Sequence, residues 1–571
     1  MSRYIPLKPM TEDILDFDNG INGATGEYLF PQLTPKDISA IAQGSNFDRF
    51  HLSDLKNKVQ QKREKKKALK AGKDPDNLAD AGWGVIFARE YQNSPYKAEE
   101  ICEALTPLLD RRRQQATQKD ERYYKEYIGS KAYNPGESKV KFLQNRGAGS
   151  GAVDPERMPY YLLIVGDPET IPYQFQYQLD VQYAVGRIYF DKLEEYAQYA
   201  RSVVEAETGQ ISLPKQVAFF GVRNNGDRAT QYSADRLVKP LADWLRQKQP
   251  DWSVPEISPT DATKEKLSQL MGGAETPALL FTASHGVGFA KDHPLQLPHQ
   301  GALLCQNWPG RLKWNGELDP EEHYFAADDI GDNANVKGLI AFHFACFGAG
   351  TPKLDNFSRR ANSGEAELAS RSFMARLPQR LLCHPKGGAL AVISHVDRAL
   401  SRSFLSQQGA KKQLAVFESA FESLIAGKPL GFAMEYFNQR YAELSSDLQT
   451  ELEEIENGKA ANDDNLADLW ISSNDARNYA IIGDPAVRLT VGNKATAKNA
   501  QLDREAVVLK TLNTPQSEDS SANSPDDLKS LVTDLAHYLK KLEQQVEKLT
   551  EQNQFLQQQI DRLQQSVDEE S

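Results

Sequence analysis

The sequence predicts an α/β protein built on a mainly parallel sheet covered by helices. Short apolar runs of strand length recur from residue 82 to about 490, as expected of strands buried on both faces. Helix-period segments lie between several of them, and this alternation is what parallel crossovers need. Two runs stop at Gly-Asp-Pro turns, Gly166-Asp167-Pro168 and Gly483-Asp484-Pro485.

The elements follow in order. Residues 1–81 are polar and turn-rich and read as an arm on the main body; Asp18-Asn19-Gly20 and Asn22-Gly23 are turn signals. Lys56–Lys73 is a basic helical run, read as a solvated face or else as an exposed protease-cleavage site. Trp83–Phe87 is the first strand, and Ala98–Gln114 has helical spacing through Ile101, Leu105 and Leu109. Residues 118–158 read as loop. Tyr160–Val165 is a buried strand, Val185–Ile188 another, and a helix covers about 191–206. Gln216–Gly221 is a strand followed by a polar loop and a helix to about Gln247. Ala278–Gly288 carries a strand ending in Ser284-His285-Gly286, and Gly338–Thr351 carries one ending in Ala345-Cys346. Between them, 289–335 is a long irregular insertion of the kind that usually has a function. Ala389–Ser394 is a strand, a helix lies near 411–425, and Ala480–Ile482 is the last strand.

Two further segments are different in kind. Residues 494–525 are rich in Ser, Asn, Asp and Pro and read as a disordered linker. Within 526–568, apolar positions from Leu528 to Val567 alternate steps of 4 and 3, with leucine at every d position, mostly Val or Ile at a, and Asn553 at one a position. That pattern specifies a parallel two-stranded coiled coil, so the expected partner is a second copy of the chain. The alternative is one amphipathic helix packed on the globular part. The expected domains are therefore an arm (1–81), an N-terminal subdomain (82–250), a catalytic subdomain (251–493), the linker and the coiled coil.

Composition narrows the function classes. The formal net charge is −12, which disfavours nucleic acid as a partner. The four cysteines lack CxxC spacing, so no structural zinc is expected, and the residues point to no metal and no cofactor. His293, His299 and His323 show no ligand spacing. The opening MSRYIPLKPM has no apolar signal core, and no apolar run reaches the ~18 residues of a membrane span. The expected setting is a soluble protein in the cytoplasm.

Chemistry centres on Cys346 and His285. A thiol becomes a useful nucleophile when an imidazole takes its proton, and attack on a peptide carbonyl needs N–H donors for the oxyanion. Both residues follow apolar strands, so a parallel sheet brings them to one edge. The backbone N–H groups of Gly286 and Cys346 are the expected donors. Asp397 and Arg398 follow another strand end and are candidate pocket groups: the carboxylate favours a basic substrate residue, the guanidinium an acidic one. His343, an odd step from Cys346, falls on the opposite pleat face. Asp167 and Asp484 are expected to close turns.

Ser284-His285-Gly286 followed by Ala345-Cys346-Phe347-Gly348 resembles the caspase-type cysteine peptidases, though the glutamine typical of animal caspases is missing. Tyr161–Asp167, Ile171-Pro172, Val185-Gly186-Arg187-Ile188 and Ile482–Leu489 are more similar to the gingipain family. The resemblance covers about 82–490. It implies a caspase-like (caspase–haemoglobinase) sheet in two subdomains and endopeptidase activity, with Cys346 as nucleophile and His285 as proton carrier. It also places Asp227 roughly where arginine-specific gingipains carry a pocket aspartate, which implies cleavage after a basic residue. Gingipains are secreted and lack the added coiled coil, so the expectation here is a regulated intracellular protease, held inactive by the arm or by the 289–335 insertion. Bacterial proteins with caspase-like domains often serve defence or cell-death circuits, which extends that expectation. The competing reading is a non-catalytic scaffold that works through its coiled coil with a partner protein. Another thiol hydrolase or acyltransferase is a third.

Overall fold

The computed structural model describes residues 18–29, 33–45, 49–63, 68–91, 94–314, 316–357, 366–405 and 413–491. The linker and the coiled coil expected at 494–568 lie outside the described residues.

Ten strands form one sheet: β1 (Trp83–Phe87), β2 (Tyr124–Tyr127), β3 (Tyr161–Val165), β4 (Ala184–Ile188), β5 (Val217–Gly221), β6 (Glu256–Ile257), β7 (Leu279–Ala283), β8 (Ile340–Phe344), β9 (Ala391–His395) and β10 (Tyr479–Gly483). Their order is β2-β1-β3-β4-β10-β9-β8-β7-β5-β6. Neighbours run parallel except β9 and β10, which are antiparallel. The sheet thus consists of two parallel halves pointing in opposite directions. β10 is last in sequence yet completes the first half beside β4. β5 falls inside the segment expected to form the first subdomain, but it pairs with the second half.

β1, β3, β4, β5, β7, β8 and β9 are buried along their whole length, which explains their unbroken apolar sequence. Phe219, Phe281 and Phe342 occupy matching register positions on three adjacent strands. Their ring centroids lie 5.6 and 5.3 Å apart, and Phe417 and Phe421 of the helix Ala415–Ile425 pack on Phe281. Such aromatic pairs add to the free energy of area burial. β2 lies in the segment expected to be loop, since YKEY has no apolar run; only Tyr127 of it is buried, as suits an edge strand.

The gingipain-like motifs act as fasteners of the first half. Arg187 is buried and donates to Gln176 Oε1 at 2.8 Å and to the Gly166 carbonyl at 2.8 Å. Asp167 caps its own turn through Thr170, and Asp484 accepts from Trp83 Nε1 and Arg112 Nε at 3.0 and 2.7 Å.

The arm is docked rather than extended. Its helix Pro35–Gln43 buries Ile38, Ile41 and Ala42 against Leu448, Leu466 and Trp470. The next helix, Arg49–Arg63, seats Leu52 and Leu55 on Val181, Tyr441 and Ala476. The basic run is therefore not a purely solvated face. Lys58 is buried against Glu435, while Lys56 and Lys62 pair with Glu453 and Glu443 at the surface. Residues 64–67 of that run lie outside the described residues.

The 289–335 insertion builds a second small sheet. In it, Gly286–Gly288 pairs with Leu303–Leu304, which pairs with Tyr324–Phe325. Its outer strand comes from the arm: Gly20–Asn22 lies parallel to Gly286–Gly288. Among the described residues no helix is long and apolar enough to cross a membrane.

Candidate active site

Adjacent parallel strands β5, β7, β8 and β9 end at one edge of the sheet and deliver Asp227, His285, Cys346 and Asp397-Arg398 there. This is the edge where open α/β sheets hold their ligands. Phe344 pairs in register with Ala283, so Cys346 and His285 both stand two residues beyond a matched pair. All these residues are buried.

His285 Nε2 is hydrogen-bonded to Asp227 Oδ2. The other oxygen of Asp227 accepts from the Tyr28 hydroxyl at 2.9 Å and from Ala229 N at 3.1 Å. Burial acts to raise the Asp227 carboxyl, but His285 and the surrounding hydrogen bonds outweigh it and hold Asp227 below the ordinary carboxylate range. His285 Nδ1 has no hydrogen-bond partner among the described residues. Asp227 is thus engaged by His285, which loop position alone did not reveal.

Cys346 Sγ accepts from Ala399 N at 3.2 Å. Burial, with the Asp18 carboxyl adding to it, pushes the Cys346 thiol well above its ordinary value. A β-carbon on residue 286 would fall 1.8 Å from the Cys346 carbonyl oxygen, so only glycine lets these two strand ends meet. Phe347 and Asp397 both adopt left-handed φ, +58° and +83°, and Phe347 N donates to the Asp397 carbonyl at 2.7 Å. Backbone strain of this kind persists where surrounding contacts over-determine it.

Arg398 makes a two-pronged pair with Asp355 at 2.8 and 3.0 Å and also reaches Asp397 Oδ1 at 3.3 Å. Burial raises the Asp397 carboxyl to about 6. His343 faces away from the site, its Nδ1 bonded to Thr282 Oγ1 at 2.8 Å, and burial lowers its pKa to about 3. His299 pairs with Tyr324 and His323 receives Asp319 N; among the described residues no group of carboxylates, His and Cys could hold a metal.

The residues that sequence reasoning missed belong to the arm. Asp18-Asn19-Gly20 does not close a local turn: it crosses the site as a bridge at Asp18, a bend at Asn19 and the start of a strand at Gly20. The carbonyl of Asn19 accepts from Gly286 N at 2.8 Å and from Cys346 N at 3.0 Å, the two expected oxyanion donors. Asn19 N donates to the Ala399 carbonyl at 2.9 Å, and Asp18 forms an antiparallel bridge with Leu400. Asn22-Gly23 does form a turn: Asn22 Oδ1 receives Ala24 N at 2.9 Å, and the Asn22 carbonyl receives Gly26 N at 2.7 Å. In sequence, Asp-Asn-Gly reads as a turn wherever it occurs, and only its contacts overrule that.

The family model for peptidase family C25 matches residues 98–490. Among solved structures, the chain is similar to the Arg-specific cysteine proteinase gingipain R (RGPB), at 14% identity over 72% of this chain and 78% of that one, with a TM-score of 0.42. It is similar to a structure described only as a protease, at 10% identity over 75% and 81%, TM-score 0.43. It is also similar to the complex of pro- and mature domains of RgpB from Porphyromonas gingivalis, at 13% identity over 72% and 79%, TM-score 0.40. No curated protein matches. The family model spans well over half of the chain, including all the strand ends that converge on this edge, and the chain belongs to peptidase family C25, the gingipain family of cysteine endopeptidases.

Proposed function

We propose that this cysteine endopeptidase works through Cys346 as nucleophile and His285 as proton carrier, with Asp227 orienting the imidazole. The observation that carries this is the Asn19 carbonyl held by Gly286 N and Cys346 N, a ready oxyanion hole beside a thiol. Asp227 fixes Nε2 of His285 and leaves Nδ1 to exchange protons with the thiol and the leaving amine. Sγ attacks the carbonyl carbon as its proton passes to His285. The oxyanion is held by the two N–H groups, the amine departs with the proton, and water then hydrolyses the thioester. Cys346→Ala and His285→Ala should each abolish cleavage of a peptide library; unchanged cleavage by Cys346→Ala would sink the reading.

A preference for a basic residue before the cut would draw on Asp227 and Asp397. Asp227 is taken by His285 and Tyr28, and Asp397 contacts Arg398. The preference therefore competes with an asparagine preference suggested by Asn19, and the same library separates them. The heptads of 526–568 support a homodimer, which should lose half its mass in light scattering when 526–571 is removed. A regulated role in a defence or cell-death circuit draws its support from the caspase-like resemblance and from the arm lying in the cleft.

A further inference from the structure

The arm does more than cover the cleft: it lies there in the manner of a substrate. We propose that Cys346 cuts its own chain between Asn19 and Gly20, so that this bond is a self-processing site. The inference rests on the peptidase reading of Cys346 and His285 above.

The chain is held on both sides of one carbonyl. Before it, Asn19 N donates to Ala399 O and Asp18 bridges Leu400. After it, Gly20, Ile21 and Asn22 pair in register with Gly286, Val287 and Gly288. The carbonyl itself accepts from both oxyanion donors. Ile21 is buried with Val287, Leu304 and Trp308, which anchors the leaving side. The thiol lies against the bond: a β-carbon on Gly20 would fall 2.8 Å from Cys346 Sγ. Glycine is therefore the residue that fits after the cut.

The side chain of Asn19 also sits in a pocket. Its Nδ2 donates to Ser284 O at 3.2 Å and to Ser233 Oγ at 3.3 Å, from the ends of β7 and the helical segment after β5. Asp18 faces Arg398, His285, Asp227 and Cys346. A turn merely packed against the surface needs none of these bonds at the reacting carbonyl. The pose also names a substrate class: peptides with Asp-Asn before the cut and glycine after it.

The step balances with water as co-reactant. Sγ bonds to the Asn19 carbonyl carbon while His285 takes the thiol proton. The Asn19–Gly20 bond breaks, and the Gly20 amine leaves with that proton. Water then adds its oxygen to the Asn19 carbonyl carbon and returns a proton to sulfur, giving a free carboxyl on Asn19 and a free thiol.

The purified full chain is incubated at neutral pH, and its fragments are read by intact mass and N-terminal sequencing. A synthetic peptide containing Asp-Asn-Gly-Ile-Asn and an analogue with Arg for Asn are supplied in parallel. The expected result is a new terminus at Gly20, formed at a rate independent of protein concentration. The cut should be absent in Cys346→Ala and slowed at least about tenfold in Gly20→Ala, and the asparagine peptide should be cleaved at least about tenfold faster than its arginine analogue. Added peptide cleaved while the chain stays intact overturns self-processing and leaves the peptidase reading standing. A cut that persists in Cys346→Ala overturns it also, since Asn-Gly bonds can break without an enzyme. If neither the chain nor any library peptide is cut, the peptidase reading fails and the proposal falls with it.

Discussion

At the scale of single residues, the proposed site rests on Asp227, Gly286 and Cys346. Asp227 holds Nε2 of His285 and is held in turn by Tyr28. Asp227→Asn should lower kcat by about 10²–10⁴ with little change in KM, because it disturbs the imidazole and not substrate binding; steady-state kinetics on a peptide decide. Gly286→Ala should cost about 1–3 kcal/mol or more through overpacking, since its β-carbon would overlap the Cys346 carbonyl; a lowered melting temperature, or loss of soluble protein, is the readout. The positions of Cys346 and His285 at one sheet edge were legible from sequence because each follows an apolar strand by two residues. Asp227 was legible as a carboxylate near the cleft but its bond to His285 was not, because loop residues show no period that fixes where they point.

At the scale of elements, the arm's second helix is fixed to the body by ion pairs taken out of water. Asp54 receives Lys139 Nζ at 2.6 Å, with both side chains buried. Removing one partner leaves a buried charge, a loss of about 3–5 kcal/mol. Asp54→Ala should therefore loosen Arg49–Arg63, seen as faster hydrogen exchange in that helix with little change in β7 and β8. The edge strand β2 and the strand Gly20–Asn22 escaped sequence reading for one reason. Both are short and lack an apolar run, so their strand character comes from the neighbour that pairs with them and not from their own composition.

For the whole molecule, docking of the arm couples the site to pH. Burial raises the Asp18 carboxyl from 3.8 to about 7, although His285 and Arg398 oppose this and Asp227 adds to it. A raised carboxyl binds its proton more tightly in the docked state than in the free one. Docking is therefore favoured at low pH and weakens as pH rises from about 4 to about 7. In Cys346→Ala, used so that no self-cleavage complicates the measurement, the protection factors at Gly20–Asn22 (exchange rates corrected for the intrinsic pH dependence) should fall across that window, and Asp18→Asn should flatten that fall. Protection that rises with pH would contradict the assignment of Asp18.

The sequence by itself determined the α/β class, the main buried strands, the Cys346 and His285 strand ends and the family motifs, because burial on both faces leaves an unbroken apolar record and short motifs keep their spacing. Tertiary structure decided the rest. It split the sheet into two opposed halves through the antiparallel contact of β9 with β10, because strand order depends on partners far away in sequence. It gave Asp227 to His285. It also took Asp18-Asn19-Gly20 out of a local turn and laid it across the Gly286 and Cys346 N–H groups, because so short a segment follows local preference only until hydrogen-bond donors and a buried partner strand hold it.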